Sequence, residues 1–199
     1  ARLEEIESPA QIDRGWFLRW MDIAQNTSEG DVQEMVAKML RGEFQTPQNF
    51  SLRTLDVLKN LNQQELQIFQ IFCNSVFRSI TFGQDSVITE PFGGNPGSNS
   101  MQAIGLNYAN LTTLVNAGLM HSEIMGANRT ITTSQIFLMP FTIGNIKFNL
   151  QRTKPIEEDE NKDIPIGLLR LTQAGLELSR VMPEGTSDAY NTKFLEWIS

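Results

Sequence analysis

The strongest constraint on the fold of this chain is a series of helix-start patterns in its N-terminal part. Asn62 precedes Glu65 by three positions, which is the spacing of a capping box. Ser28 and Ser51 stand where the N-caps of two earlier helices are expected, and each is followed by apolar residues at helical spacing. The sequence therefore predicts four helices: one over 11–25, one from Ser28 to a left-handed stop at Gly42, one after Ser51, and one from Asn62 to Ile80.

The composition of the chain changes after residue 82. The segment 83–100 is rich in turn-forming residues and includes Gly93-Gly94-Asn95-Pro96-Gly97. This composition favours a flexible linker or a long loop, within which Ser86–Thr89 could add a short strand. We therefore expect a helical domain over 1–82, a Gly-rich linker or long loop over 83–100, and a second domain over 101–199.

The second domain is expected to combine helices with a small antiparallel sheet. The predicted elements are helices over 107–116, 172–181 and from Ser187, and strands over 131–141, 146–151 and 166–171. The residues 142–145, which contain Gly144-Asn145, indicate a hairpin between the first two strands. The predicted fold class is mainly α (α+β), with an N-terminal four-helix unit followed by a winged-helix-like α+β unit.

Charge and cysteine content narrow the possible function classes. The formal net charge is −7, whereas non-specific nucleic-acid binding depends on phosphate neutralisation by lysine and arginine. Cys73 is the only cysteine, which excludes an intrachain disulfide and a cysteine-based metal site. No apolar run approaches the roughly 18 residues of a membrane span, and we expect a cytoplasmic location. Because the chain begins at Ala1 in a charged helical pattern, we expect it to be part of a longer protein.

No pattern in the sequence is typical of a catalytic, cofactor or metal site. His121 is the only histidine, and its neighbours Ser122 and Glu123 do not make a triad, which depends on geometry in space. The acidic run 157–160 lacks the spaced ligands of a calcium loop, and the segment 93–97 lacks the lysine of a P-loop. We therefore predict no cofactor and favour a non-enzymatic protein. An enzyme with an unrecognised carboxylate-based site is left as an alternative.

A winged-helix DNA-binding regulator is a further alternative. The segments 111–119 and 171–178 look like those that flank the wing in bacterial winged-helix regulators. A recognition helix should present basic or amide side chains to DNA, yet the predicted helix 107–116 contains no basic residue. The candidate nucleic-acid-binding residues lie on and around the hairpin instead: Arg129, Lys147, Arg152 and Lys154.

Trp16 and Trp20 form an aromatic face on the first predicted helix. Large aromatic residues on one helical face usually belong to a core. On a peripheral helix, the same two residues would make a partner-binding hot spot. Both interpretations are open from the sequence, and Trp16 and Trp20 are the candidate partner-binding residues.

Several distinctive features of the N-terminal part occur together. They are a tryptophan-containing helix over 16–24, the stretch 28–43 that ends in Ala-Lys-Met-Leu-Arg-Gly-Glu, Pro47, and the segment 50–61 that begins with Phe-Ser-Leu-Arg-Thr-Leu. This combination resembles a bacterial family known only as a domain of unknown function, although Met35-Val36 stands where a tryptophan is expected. The resemblance implies no catalytic residues and suggests a regulatory or phage-defence setting.

The sequence as a whole favours an interaction protein over an enzyme. We predict a non-enzymatic interaction or sensor domain of a longer bacterial protein, which binds a protein partner or associates with itself. This prediction is based on the many helix-cap and strand patterns of the sequence and on the absence of a recognisable catalytic pattern.

Overall fold

A computed structural model of the chain describes residues 12–27, 30–79, 85–122, 127–132, 140–148 and 163–198. The chain divides into two compact units, Ala1–Asn60 and Leu61–Ser199. The described residues form seven α-helices and a six-stranded antiparallel sheet. The fold is therefore α+β with an N-terminal helical unit, as the sequence predicts.

The first unit is built from three helices: α1 (Arg14–Asn26), α2 (Gly30–Gln45) and α3 (Leu52–Asn60). Asp13 caps α1, because its carboxylate accepts the Trp16 N–H at 2.8 Å. Ser51 caps α3 as predicted, with its hydroxyl accepting the Thr54 N–H at 3.2 Å. The amphipathic pattern brings the apolar sides of the helices into one core, which includes Trp16, Ile23, Met35, Val36, Met39, Leu55 and Leu58.

The predicted left-handed helix stop at Gly42 is wrong. Helix α2 continues through Gly42 to Gln45, and the positive φ in this region belongs to Gln48, at 66°. A Cβ atom on Gly42 would lie 2.8 Å from Cε2 of Phe50, which is closer than atoms pack. Glycine is therefore needed here for the close approach of the Phe50 ring rather than for a backbone reversal.

The loop that follows α2 is held by a buried carboxylate. Glu43 is 2% exposed, and its two oxygens accept the N–H groups of Gln48 at 2.6 Å and of Phe50 at 3.2 Å. These bonds satisfy backbone donors that no helix or strand engages. Glu43 therefore acts as the structural centre of the turn between α2 and α3.

In its described residues, the second unit combines the sheet with four helices. In chain order its main elements are α4 (Gln63–Cys73), β1 (Phe77–Arg78), β2 (Ser86–Ile88), α5 (Tyr108–Asn116), β3 (Ala127–Thr132), β4 (Phe141–Ile143), β5 (Ile146–Phe148), β6 (Asp163–Arg170), α6 (Gln173–Ser179) and α7 (Asp188–Ile198), with three short 3₁₀ turns between β2 and α5. The strand order is β3-β6-β2-β1-β4-β5. Among the described residues, no helix is both long and apolar enough to cross a membrane.

The predicted fourth helix is correct at its start and wrong at its end. The capping box of Asn62 and Glu65 is present in both directions, at 2.9 Å and 2.8 Å. The helix ends at Cys73 rather than at Ile80, and Phe77–Arg78 forms β1. Phe77 pairs with Ser86 on one side and with Ile143 on the other, so distant strand partners outweigh the local helical spacing.

The segment predicted as a linker or long loop contains a strand where a short one was expected, and this strand is central in the sheet. Strand β2 is fully buried and pairs with β6 on one side and with β1 on the other. The compact units divide the chain at Asn60 and Leu61, whereas the sequence places a boundary after residue 82. The limits given from the sequence, 1–82 and 101–199, therefore stay a prediction of which parts of the chain fold separately.

The predicted hairpin is confirmed as the β4–β5 pair, in which Ile143 is opposite Ile146. Only Gly144 of its two turn residues takes a positive φ, 57°, as glycine does at the first position of a type II′ turn. The predicted strand 131–141 is corrected, because Ile131–Thr132 end β3, which pairs with β6 instead. Residues 133–139 lie outside the described part of the chain.

Tyr190 on α7 completes the hydrogen bonding of β2. Its hydroxyl accepts the Ile88 N–H at 3.0 Å and donates to the Ile88 carbonyl oxygen at 2.9 Å. β1 pairs with β2 only at Ser86, so the tyrosine satisfies backbone groups beyond the end of β1. Burial raises the pKa of Tyr190 well above its ordinary value.

Candidate functional site

The two candidate partner-binding tryptophans differ in exposure. Trp16 is 3% exposed and belongs to the core of the first unit. Trp20 is half-buried, its indole Nε1–H donates to the Val36 carbonyl oxygen at 2.8 Å, and its ring stacks on Phe17 at 5.7 Å. Both side chains thus pack within the first unit, and their role in partner binding stays a prediction.

The candidate nucleic-acid-binding residues do not form one cluster in the described part of the chain. Arg129 lies on β3 and Lys147 on β5, which are the two edge strands of the six-stranded sheet. Five inter-strand spacings separate these edges, or about 24 Å. Arg152 and Lys154 lie outside the described residues. Arg129 and Lys147 therefore lie on opposite edges of the sheet, and their role in nucleic-acid binding stays a prediction.

The polar residues of α5 are engaged in local hydrogen bonds. The Asn107 side chain caps the helix by accepting the Asn110 N–H at 2.9 Å, and the Asn110 amide donates to the Gly105 carbonyl oxygen at 2.8 Å. Thr112 and Thr113 each donate to a carbonyl oxygen one turn earlier. These local contacts account for the four polar side chains without a ligand, and DNA binding by α5 stays a prediction.

The single cysteine and the single histidine lie in different surroundings. Cys73 is buried, and this burial raises the pKa of its thiol to about 12. At neutral pH such a thiol carries almost no thiolate, which is the nucleophilic form. His121 is exposed, and its backbone N–H donates to the Arg170 carbonyl oxygen at 3.0 Å. His121 does not line the pocket described next.

A polar pocket of about 400 Å³ lies in the second unit, where the C-terminal ends of α4 and α6 meet the β4–β5 turn. We call it the Arg180 pocket. Its wall is formed by Cys73, Asn74 and Arg78, by Gly144 and Asn145 of the turn, and by Ser179, Arg180 and the segment 182–185 after α6. This volume is within the range of small-molecule sites.

The floor of the Arg180 pocket is a tight junction of three backbone segments. A Cβ atom on Gly144 would lie 2.6 Å from the Gly185 carbonyl oxygen and 2.7 Å from that of Asn74. The Gly144 N–H donates to the Val76 carbonyl oxygen at 3.0 Å, and the Asn145 N–H donates to that of Gly185 at 3.2 Å. Close packing and hydrogen bonds together fix the position of the turn residues that face the pocket.

Several oxygen acceptors at the pocket are already engaged by donors of the protein. Gln70 Nε2 donates to Asn74 Oδ1 at 2.8 Å and to the Pro183 carbonyl oxygen at 2.9 Å. Arg78 Nη1 donates to the Gly144 carbonyl oxygen at 3.3 Å. Among the other groups of the pocket, Arg78 and Arg180 offer donors, whereas the Glu184 carboxylate and the Asn145 amide oxygen offer acceptors.

The donor groups of the pocket retain free N–H bonds. Arg180 is exposed, and its guanidinium has no hydrogen-bond or ion-pair partner among the described residues. Arg78 donates through Nε to Asp85 at 3.0 Å, which together with its bond to Gly144 leaves about three of its five N–H groups. The Asn145 side chain is exposed at the rim. Glu184, also exposed, contributes an opposing negative charge.

A second polar cluster lies just beyond the end of β2. Glu90 Oε1 accepts the N–H of Gly167 in β6 at 2.5 Å, and the Thr89 N–H donates to the Gly167 carbonyl oxygen at 3.0 Å. Burial raises the pKa of Glu90, and the bond from the Gly167 N–H opposes this rise. Glu90 does not line the Arg180 pocket, and its contacts continue the β2–β6 pairing beyond Ile88.

The raised pKa of Glu90 predicts a pH-dependent stability. A folded-state pKa above the ordinary 4.5 favours the protonated carboxyl, so the free energy of unfolding should fall as the pH rises from 4.5 through the raised pKa. Glu90→Gln should remove this decrease, because the amide oxygen still accepts the Gly167 N–H without carrying a charge. Urea unfolding at a series of pH values measures the difference between the two proteins.

Glu90→Ala is the matched variant for this prediction. It leaves the buried Gly167 N–H without its acceptor, which should cost about 1–3 kcal/mol even at acidic pH. Equal pH profiles for the natural protein and Glu90→Gln would contradict this prediction, because they would show that the pKa of the Glu90 carboxyl is the same in the folded and unfolded protein.

The described residues contain no group of three or more histidine, cysteine, aspartate or glutamate side chains that could hold a metal ion.

The sequence does not single out four residues of the pocket as functional candidates: Arg78, Asn145, Arg180 and Glu184. Only the Gly144-Asn145 turn carries a local pattern that could have led to the pocket. The other lining residues come from separate segments, so their proximity depends on the tertiary fold.

The fold and the pocket define an α+β protein with a three-helix unit and a unit built on a six-stranded antiparallel sheet, which holds a polar cleft. The family described as "Protein of unknown function (DUF2806)" matches residues 1–195, and the chain belongs to this family. No curated protein and no solved structure matches the chain. The resemblance to a domain of unknown function is thus confirmed, while a bacterial origin and a winged-helix second half stay predictions.

Proposed function

We propose that the chain is a non-enzymatic interaction and sensor module of a longer bacterial protein, which acts in the cytoplasm and recognises its ligand in the Arg180 pocket. The observation that carries this proposal is the pocket itself, with a volume of about 400 Å³ and free donors on Arg180. A small-molecule site typically combines such a volume with a few convergent polar groups. Binding there would contact the β4–β5 turn and the end of α6 at the same time.

The surroundings of the pocket support binding rather than covalent chemistry. Cys73, which lines the pocket, is buried and has a pKa of about 12, so its thiol is a poor nucleophile at neutral pH. His121, the only histidine, lies outside the lining. A turnover that disappears in His121→Ala would contradict a non-enzymatic role.

A blocking substitution tests the recognition site. Asn145→Trp places a large ring on an exposed turn residue at the rim of the pocket, whereas Gln67→Trp places the same ring on an exposed residue of α4 that does not line it. The melting temperature of each protein is measured in buffer and in a concentrated, protein-free metabolite extract of bacterial cells. Ligand binding to the folded protein should raise Tm by about 2–4 °C.

We expect this rise for the natural chain and for Gln67→Trp, and its loss in Asn145→Trp. An unchanged Tm of the natural chain in the extract, or an equal rise in Asn145→Trp, would contradict recognition at the Arg180 pocket.

A further inference from the structure

We infer that the ligand of the Arg180 pocket is a small molecule that carries a carboxylate or phosphate group. This inference rests on the proposed function and specifies the chemical class that the pocket recognises. The two groups share the relevant chemistry, which is a compact anion with several acceptor oxygens.

Three acceptor oxygens at the pocket are already hydrogen-bonded. The Pro183 and Gly144 carbonyl oxygens and Asn74 Oδ1 each receive a hydrogen bond from within the second unit. A ligand rich in donors would have to use the second lone pairs of these oxygens or the exposed Glu184 carboxylate. A ligand rich in acceptors competes with none of them.

The two arginines at the pocket have N–H groups that no protein acceptor engages. The Arg180 guanidinium has no partner among the described residues, and it stands at the end of α6 on the pocket wall. Arg78, on the wall as well, is fixed in place by Asp85 and by the Gly144 carbonyl oxygen, and it still has free N–H groups. Guanidinium groups bind carboxylates and phosphates through paired, charge-assisted hydrogen bonds. The pocket lining therefore favours an anion that contacts both guanidinium groups, one of which is held in place and one of which is free.

The charged side chains at the pocket have unequal roles in anion binding. Asp85 neutralises much of the charge of Arg78, so Arg180 supplies the uncompensated positive charge and Glu184 opposes it. Removing either exposed charge should leave the fold intact, because neither side chain has a partner among the described residues. The two removals should then change anion affinity in opposite directions.

The experiment uses the chain labelled with ¹⁵N at arginine and follows the Nε–H resonances of Arg78 and Arg180. The probes are two matched pairs and one simple ion: adenosine monophosphate with adenosine, glutarate with glutaramide, and inorganic phosphate. We expect the charged member of at least one pair to shift both resonances and the neutral member to leave them unchanged. The responding pair shows whether the group is a phosphate or a carboxylate, and inorganic phosphate shows whether the anion alone suffices.

Variants that each remove one charge then show which side chains bind the responding probe. Arg180→Gln should weaken binding of the responding probe about ten- to a hundredfold, as expected for the loss of a charge-assisted bond. Glu184→Gln should tighten it by up to about fivefold. Arg53→Gln, at an exposed position of α3 outside the lining, should leave it unchanged.

The inference is overturned if neutral and charged probes shift the resonances equally, if no probe shifts them at up to about 10 mM, or if Arg180→Gln binds as tightly as the natural chain. These outcomes are distinct from failure of the proposed function. If Asn145→Trp abolishes the Tm rise while Arg180→Gln leaves it intact, the pocket is the recognition site and its ligand is not an anion.

Discussion

Replacing Tyr190 with phenylalanine should lower the free energy of unfolding of the second unit by about 2–4 kcal/mol. The hydroxyl of Tyr190, which is fully buried, both accepts the Ile88 N–H and donates to the Ile88 carbonyl oxygen. Phenylalanine fills nearly the same space but leaves these two buried backbone groups without partners. Urea unfolding followed by far-UV circular dichroism measures the effect.

The chain supplies a matched control in its only other tyrosine. Tyr108 is 48% exposed, so Tyr108→Phe should change the free energy of unfolding by less than about 0.5 kcal/mol. Equal effects of the two substitutions, or a loss below about 1 kcal/mol for Tyr190→Phe, would mean that water replaces the hydroxyl at Ile88 at little cost.

Replacing Glu43 with alanine should destabilise the first unit by about 2–5 kcal/mol, since it removes the acceptors of two backbone N–H groups at once. The N–H groups of Gln48 and Phe50 would lose the carboxylate that now holds the turn between α2 and α3. Trp16 and Trp20 lie in this unit, whereas Trp197 lies in the second unit. Tryptophan fluorescence during denaturant unfolding therefore reports the stability of the first unit when both proteins carry Trp197→Phe.

Glu34→Ala is the control on the same helix. Glu34 is exposed and pairs with Lys38 one turn later at 2.8 Å, and such a surface pair contributes about 0.3–0.5 kcal/mol. Glu43→Gln should fall between the two, because its amide can accept from one N–H but presents its own donors to the other. A Glu43→Ala effect no larger than that of Glu34→Ala would contradict a structural role of the carboxylate.

The parts of the fold that follow from local contacts were predictable from the sequence. Ser51 and Asn62 cap helices where expected, because a cap bond joins residues only three positions apart. The end of α4 and the role of Gly42 depend on partners elsewhere, namely the strands beside Phe77 and the ring of Phe50. Local spacing carries no information about such partners.

The candidate site was not predictable for the same reason. Arg78 was assigned to a helix, whereas it lies on β1 and reaches the turn at Gly144. Arg180 ends α6 and comes close to the same turn only through the tertiary fold. Arg129 and Lys147 show the converse case, since the sequence places both on and around one hairpin and the sheet order puts them on opposite edges.

The strand order also governs when the second unit can form during synthesis. Strand β2 is flanked by β6, and Ile88 pairs with Leu168, which is translated 80 positions later. At about 5–20 residues per second, roughly 4–16 s pass between the synthesis of the two strands. The three helices of the first unit are complete before any strand of the sheet has been made. The emerging β2 segment, with its buried Val87 and Ile88, must meanwhile remain unpaired with β6, and during this interval its apolar side chains and its open strand edge are exposed to aggregation.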